Sequence, residues 1–505
     1  MHRILRAFVM ALSMSGAAIA AVSAVPATAA TLTIAQDFDP SDLFGTRSTN
    51  NPMLAILESL YMDDPLSGKI EPHLALSHEM VNDKELLIKL REGVRFTNGE
   101  PMDAEAVVHS ITLFADPKLV PAYGIYAPMI DRAEVVDATT VRLLLSRPSP
   151  IVDLLLAQIL VLPPKYWAEV DAKGFGQHPI GTGPFKLTEW VKDDRIVMDE
   201  NGDYWGEHPE GIDKLVWRTV PESTARAAGL KTGEFELAIN LPAIDAIDIE
   251  TVEELGIYSG EVARVFQLIL SSLPQHPGPV QDKRVRQAIN YAIDKQGIID
   301  ALYYGKAKPL NGQVILAGQP GYDPELKDYP FDPEKAKALL AEAGFPDGFE
   351  LEFRCPSNRY PQGLETCEAI AGMLGKVGIK ANLTLLESGE FIRQLISREY
   401  TPMGILGIGV PDDPSFGLAL YRSDWRYSYY QNPELDKLID ASASETDPEK
   451  RAETIRQAGR LIHDDAVIGF LFGAREFYGY SNRLENFATN TAQRFFFHDM
   501  KLKEK

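Results

Sequence analysis

The sequence predicts an α/β fold divided between two lobes, on three observations. Segments that alternate apolar and polar residues, the period-2 pattern of strands, interleave with segments whose apolar residues recur every three or four positions, the pattern of helices. The 505 residues exceed the usual domain size of about 100–200 residues, so a single core does not suffice. No Pro/Ser-rich tract separates one half from the other, which favours lobes joined by crossing strands over domains on a tether.

The elements follow in order. The opening "MHRILRAFVMALSMSGAAIAAVSAVPATAA" has a basic start at Arg3 and Arg6, an apolar run from Ala7, and the small-residue site Ala27-Thr28-Ala29. This is the layout of a signal peptide over residues 1–30, removed after Ala29 or Ala30; its Ala, Ser and Gly content argues against a permanent anchor. It predicts export, most simply to a bacterial periplasm, and the absence of a nearby cysteine argues against a lipid anchor. "TLTIA" (31–35) then reads as the first strand. "MDAEAVVHSITLF" reads as a helix with Val107, Ile111 and Phe114 on one face. "IVDLLLAQILVLPP" is too short for a membrane span of roughly 20 residues and is interrupted by Asp153 and Gln158, so it reads as a buried element. "GTGPFKLTEW", "RIVMDE" and "KLVWRTV" give short strands separated by turns.

The second half repeats the logic. "VFQLILSS" (265–272) is an apolar strand, followed by one helical stretch, "DKRVRQAINYAIDKQGIIDALYYG", with Val285, Ile289 and Ala292 aligned. In "FDPEKAKALLAEAG", Asp332 caps, Pro333 fits the first turn and Gly344 stops the helix. "NPELDKLID" and "TDPEKRAETIRQAGRLI" carry the same signature. "FELEF" (349–353), "GLETCEAIAGMLGKVG" (363–378) and "IKANLTL" (379–385) form a β-α-β unit, so its strands should be parallel.

Charge and sulfur narrow the function. Removing the leader's two arginines takes the formal net charge from −22 to −24, a surface that repels nucleic acid and anionic membranes. The two cysteines, Cys355 and Cys367, flank one polar loop, "CPSNRYPQGLETC". In an oxidising compartment they should pair, closing a short loop worth on the order of 3 kcal/mol. Their spacing fits neither a zinc site nor a C-x-x-C redox pair, so no metal is expected. Arg359 and Tyr360 lie in that loop, at the carboxyl end of a strand, where open α/β sheets bind ligands. Position alone is compatible with a ligand-reading arginine or with a solvated arginine on a stapled loop. No G-x-S-x-G elbow, P-loop or G-x-G-x-x-G is present, and adjacent acids such as Asp412-Asp413 and Asp464-Asp465 are commonplace among 72 acids. No cofactor is expected and catalysis has little support.

Five strings now add up. "LREGVRFTNGEPMDAEAVVHS", "GTGPFKLTEW", "NGDYWGE", "VRQAINYAIDKQGII" and "FDPEKAKALLAEAGFPDG" resemble, in order, signatures of the dipeptide/oligopeptide/nickel family (family 5) of extracytoplasmic solute-binding proteins of ABC importers, from Thr31 to about residue 500. The resemblance implies a two-lobed periplasmic-binding-protein (Venus flytrap) α/β fold with an enlarged N-terminal lobe. Residues 31–271 plus 473–505 would make the large lobe and 272–472 the small one, with "VFQLILSS" and "LFGAREFYGY" as hinge-crossing strands. It further implies a monomeric non-enzyme that captures a small molecule or peptide and delivers it to an inner-membrane ABC permease. A chemoreceptor-linked sensor would share these features. The signatures themselves read as turns and helix faces, hence as structural.

Site residues carry over from the resemblance one at a time. Dipeptide-binding members hold the ligand carboxylate with an arginine that aligns with Arg359, whose planar fork suits the task; Tyr360 adjoins it. Their second anchor, an aspartate in a loop running from Gly-Trp to Asp-Pro, is less well matched by "LGIGVPDDPSF". Ile408 replaces the tryptophan, Asp412 is the nearest carboxylate, and Asp413-Pro414 matches the closing turn. A dipeptide is therefore one option beside an opine, a modified amino acid, a longer peptide, an oligosaccharide or a metal chelate. "FGTRSTNN" (44–51) resembles the family's ligand-facing loop, which offers Arg47, Ser48 and Asn50 to the cleft.

Overall fold

The computed structural model describes residues 30–44, 51–116, 118–119, 126–260, 262, 264–357, 359–410 and 413–504. Two large sheets organise it. The first has seven strands in the spatial order Leu255–Ser259, Phe477–Ser481, Leu237–Leu241, Thr31–Gln36, Lys214–Thr219, Arg195–Glu200 and Phe185–Val191. Thr31–Gln36 runs parallel to both its neighbours, while the three strands expected near 180–220 pair antiparallel in sequence. The second sheet has six strands in the order Ala307–Pro309, Ile468–Ala474, Arg264–Leu270, Met403–Gly409, Phe349–Pro356 and Ile379–Leu386. A separate antiparallel sheet of four strands, within 75–145, enlarges the N-terminal portion.

The chain passes between the two large sheets twice. Leu255–Ser259 belongs to the first and Arg264–Leu270 to the second, so one passage falls between these two strands; the return is Arg475–Glu476, between Ile468–Ala474 and Phe477–Ser481. The apolar run from Val265, read above as a crossing strand, is hydrogen-bonded along its length to Met403–Gly409 of the second sheet.

Local signals explain the helices. Asp332, Asn432 and Asp447 each accept backbone N–H groups at a Pro-first-turn helix start, and Gly344 takes the left-handed conformation that ends the first of these. Val107, Ile111 and Phe114 are buried as the periodicity requires, and residues 152–158 of the apolar stretch form a buried helix. The stretch read as one helix over 282–305 is two, Lys283–Ala292 and Lys295–Leu302. The Asp294 carboxylate accepts from the Gly297 N–H and starts a new helix where the periodicity alone runs on. Phe349–Pro356 and Ile379–Leu386 pair in parallel register from Phe349↔Ile379 to Pro356↔Leu386, with helix Gly363–Gly375 between them.

Two of the signature strings meet at one buried carboxylate. Glu58 accepts hydrogen bonds from Thr182 Oγ1 (2.7 Å) of "GTGPF", from Tyr204 OH (2.7 Å) and Trp205 Nε1 (2.9 Å) of "NGDYWGE", and pairs with His73 Nε2 (2.9 Å). Burial pushes the Glu58 carboxyl up, but the His73 imidazole and these donors outweigh it and hold it below the ordinary range. The glycines of "GTGPF" serve close approach: a Cβ on Gly181 would sit 1.9 Å from the Ile56 carbonyl oxygen, and one on Gly183 2.7 Å from that of Ala55. In "VRQAINYAIDKQGII", the buried Lys295 ammonium reaches Asp328 (2.7 Å) and the Tyr329 carbonyl (3.0 Å). The signature residues named here hold the fold.

Candidate functional site: a cavity on each side of the crossing

The loop after Phe349–Pro356 is held from several directions. Cys355 is the penultimate residue of the strand, Cys367 lies on the following helix, and the two are bonded as a disulfide across 12 residues with both side chains buried. The Tyr360 hydroxyl accepts from the Gly407 N–H (3.1 Å) and donates to the Gly407 carbonyl (3.3 Å). Its ring meets Phe266 edge-on at 5.1 Å. Tyr360 is thus buried with its hydroxyl spent on the backbone of the neighbouring strand, and it anchors the loop rather than facing a cavity. Arg359 projects the other way and is exposed. Its Nη1 donates to Ser388 Oγ at 3.2 Å, and its guanidinium lies 5.1 Å from the Phe391 ring centre and 5.6 Å from that of Tyr360. Among the described residues no carboxylate lies within ion-pair distance of it.

Arg359 lines a cavity of about 410 Å³ in the second lobe. Arg264, the first residue of its strand, lines the same cavity beside Gly409, its register partner. The remaining walls include Gln267, Leu406 and Ile408 from the sheet, Phe391 and Leu395 from helix Ser388–Ile396, and Tyr421, Tyr427 and Tyr429 from the segment beyond. Tyr421 donates to Gln267 Oε1 at 2.6 Å and Tyr429 to the Gln394 carbonyl at 3.1 Å, so both rings present carbon to the space while their hydroxyls are tied back.

A second cavity, of about 420 Å³, sits on the first-lobe side and is lined by Asp63, Tyr258, Glu476, Tyr478, Thr489 and Asn490 among others. Its charge is of the opposite sign. Asp63 accepts from Asn490 Nδ2 (2.8 Å), and Glu476 lies at the return crossing. Burial pushes the Glu476 carboxyl up and Asp37 adds to the effect, while Arg264 opposes it. Arg264 Nη2 and Glu476 Oε1 are 3.5 Å apart. This pair, one member from each cavity and each beside a crossing, joins the acidic space to the basic one. Two further contacts bridge the lobes: Tyr126 packs against Phe416 with ring centres 4.6 Å apart, and Lys306 reaches Glu250 at 3.4 Å.

Of the residues singled out from the sequence, Arg359 faces a cavity and Tyr360 supports it. Arg47, Ser48, Asn50 and Asp412 lie outside the described residues, as do residues 1–29 of the leader. Asp413 is buried; it caps helix Pro414–Ala419 and pairs with Arg451 Nη2 at 2.5 Å, the turn role expected of the Asp-Pro step. Sequence reasoning missed Arg264, Glu476 and the aromatic wall. Arg264 had one faint signal, a charged residue directly ahead of an apolar strand. Among the described residues no group of three or more His, Cys, Asp and Glu side chains is arranged to hold a metal ion, and no helix is long and apolar enough to cross a membrane.

Comparison with known proteins gives this geometry a context. Residues 69–429 match the family model for bacterial extracellular solute-binding proteins, family 5. The chain is similar to the glutathione-binding protein GsiB of Shigella flexneri serotype 5b, 26% identical over 477 residues and covering 90% of this chain and 89% of the relative. Among solved structures, it superposes on the binding protein AgaA of A. tumefaciens R10 in complex with agropinic acid (25% identity, TM-score 0.80, 94% and 99% of the two chains). It also superposes on the periplasmic binding protein DppA of Helicobacter pylori in complex with the peptide STSA (24% identity, TM-score 0.80, 94% and 98%). These likenesses establish a two-lobed periplasmic-binding-protein fold.

Proposed function

Because this chain belongs to the family 5 bacterial extracellular solute-binding proteins, the substrate-binding components of ABC importers, we propose that it captures an anionic, peptide-like solute in the periplasm. The solute is held between the two lobes and handed unchanged to an inner-membrane permease. The two passages between the large sheets act as the hinge. The open form admits the solute, and binding shifts the open–closed equilibrium by the solute's differential affinity for the closed form.

The observation that carries the reading is Arg359. It stands at the mouth of a cavity beside the crossing, on a loop stapled by Cys355–Cys367 and anchored by Tyr360, with its fork turned to a hydroxyl and two ring faces and no described carboxylate paired to it. A pre-oriented guanidinium of this kind suits a ligand carboxylate. The relatives' named ligands, glutathione, a peptide and agropinic acid, all bear carboxyl groups, which agrees with that choice. No catalytic role is assigned to any residue.

Native mass spectrometry of the purified protein should find one small anionic molecule bound, and small-angle scattering should report compaction when it is added back to stripped protein. Recovery of the molecule chemically altered at a catalytic rate would overturn the binding-protein reading. Compaction by cationic or neutral solutes alone would overturn the anionic one.

A further inference from the structure

We propose that the second-lobe cavity is a specificity pocket for a bulky aryl group carried on a carboxylate. This rests on the reading of Arg359 as the carboxylate anchor and adds the part of the ligand that Arg359 does not touch. The cavity is long. It runs from the row of Arg264 and Gly409, at the end of their strands, to the row of Ile269 and Ile468, five strand steps along the second sheet, or about 16 Å at the usual rise of a strand. Its charged lining among the described residues is confined to Arg264 and Arg359, both at the crossing end. Beyond them the walls include Phe391, Leu406, Ile408 and Tyr427 together with the uncharged polar Gln267, Ser428 and Tyr430, with no charge to meet a second ionic group. A charged substituent pushed into that space would lose its water without gaining a charged partner. An apolar substituent is favoured there by burial alone.

Volume sets the scale. An apolar cavity of about 150 Å³ already accommodates benzene, and this one has about 410 Å³. The space therefore fits an aryl ring plus the few atoms linking it to a carboxylate at the mouth. Aromatic walls favour a ring over a plain alkyl chain, because edge-to-face packing adds to burial. Ile408 makes the space: its side chain is half-buried on the cavity face of strand Met403–Gly409, where a larger residue would fill it.

Four probes decide the matter by calorimetry: L-alanyl-L-phenylalanine, N-acetyl-L-phenylalanine, L-alanyl-L-alanine and N-acetyl-L-alanine. Each aryl probe should bind at least tenfold tighter than its alanine counterpart. The ratio should fall towards one in Ile408→Trp. Ile392→Trp, at a half-exposed lining position on helix Ser388–Ile396, should do the same and stands in should the strand variant fail to fold. A peptide source requires the alanyl probe to beat the acetyl one; equal binding assigns the site to aryl carboxylates in general, and both outcomes support the pocket. Equal affinity for aryl and alanine probes, or an aryl preference that survives both substitutions, overturns it while leaving the solute-capture reading intact. Binding of none of the four, with compaction by some other solute, overturns the aryl-carboxylate assignment, and failure of every anionic solute overturns the anionic reading as well.

Discussion

Glu58 and Arg359 are both charged side chains set in place by several elements, and they are treated oppositely. Glu58 is buried, and its oxygens meet four side-chain partners drawn from three distant stretches of chain. Arg359 is exposed at a cavity mouth and meets one hydroxyl and two ring faces. A charge whose every bonding direction is met inside the protein holds the fold. A charge fixed in position but left without a counterion is available to a ligand.

Substitutions at the two sites should therefore separate stability from affinity. The largest effect belongs to Glu58→Ala, which strands Thr182, Tyr204, Trp205 and His73 around a void. With unsatisfied buried donors at about 1–3 kcal/mol each, partly relieved by relaxation, we expect a loss of about 3–5 kcal/mol in denaturant unfolding. Solute affinity of the folded protein should change little; a large affinity loss at unchanged stability would break the comparison. Next comes Cys355→Ala with Cys367→Ala. Freeing the loop should cost about 3 kcal/mol in the chain-entropy account and also weaken solute binding, since the staple holds Arg359 as well as the fold. An unchanged affinity would show that Tyr360 alone suffices to hold the loop.

Arg359→Ala should leave unfolding unchanged and weaken an anionic solute about ten- to a hundredfold, the range expected from about 1.5–3 kcal/mol for a charge-assisted hydrogen bond. Arg359→Lys should restore part of that, because an ammonium keeps the charge and loses the fork. Calorimetry on both variants checks this, and an unaltered affinity in the alanine variant would return Arg359 to the status of a solvated side chain. The smallest effect concerns acidity. The folded-state carboxyl of Glu58 lies below its ordinary value, so it contributes stability that is present above the ordinary carboxylate range and lost as pH falls through the folded value. The stability slope of the wild type over that acid range should be shallower in Glu58→Gln. Equal slopes would mean that another carboxylate dominates acid unfolding.

Much of the fold was legible because it is written locally. Caps, Pro-first-turn starts and period-2 strands each need only a few adjacent residues, and they foretold the β-α-β unit around the cysteines and its parallel register. The sequence did not reveal the break at Asp294, because the apolar period runs on through it while a side chain recaps the helix. Nor did it reveal Glu58: nothing in the residues around it announces that Thr182, Tyr204 and Trp205 will converge on it from more than a hundred positions away. The site divides the same way. Arg359 was found because its loop is marked by the cysteines and the strand end, whereas Arg264, Glu476 and the aromatic wall become a site only when the two sheets meet. Tyr360 was correctly noticed for its neighbourhood, but which way its hydroxyl turns is a fact of packing.

The ribbon formed by Ile468–Ala474, Arg475–Glu476 and Phe477–Ser481 has a consequence for the order of folding. Its first strand lies between Ala307–Pro309 and Arg264–Leu270, and its second between Leu255–Ser259 and Leu237–Leu241, so it fills an inner place in both large sheets. A chain emerging N-terminus first must hold both sheets with a gap, their unpaired edges exposed to other chains, until residues near 481 arrive. Neither half can be finished early and parked. The two are completed by one late insertion, and a chain stopped before residue 468 would lose the strand that ties the outermost strand to the rest in both sheets at once.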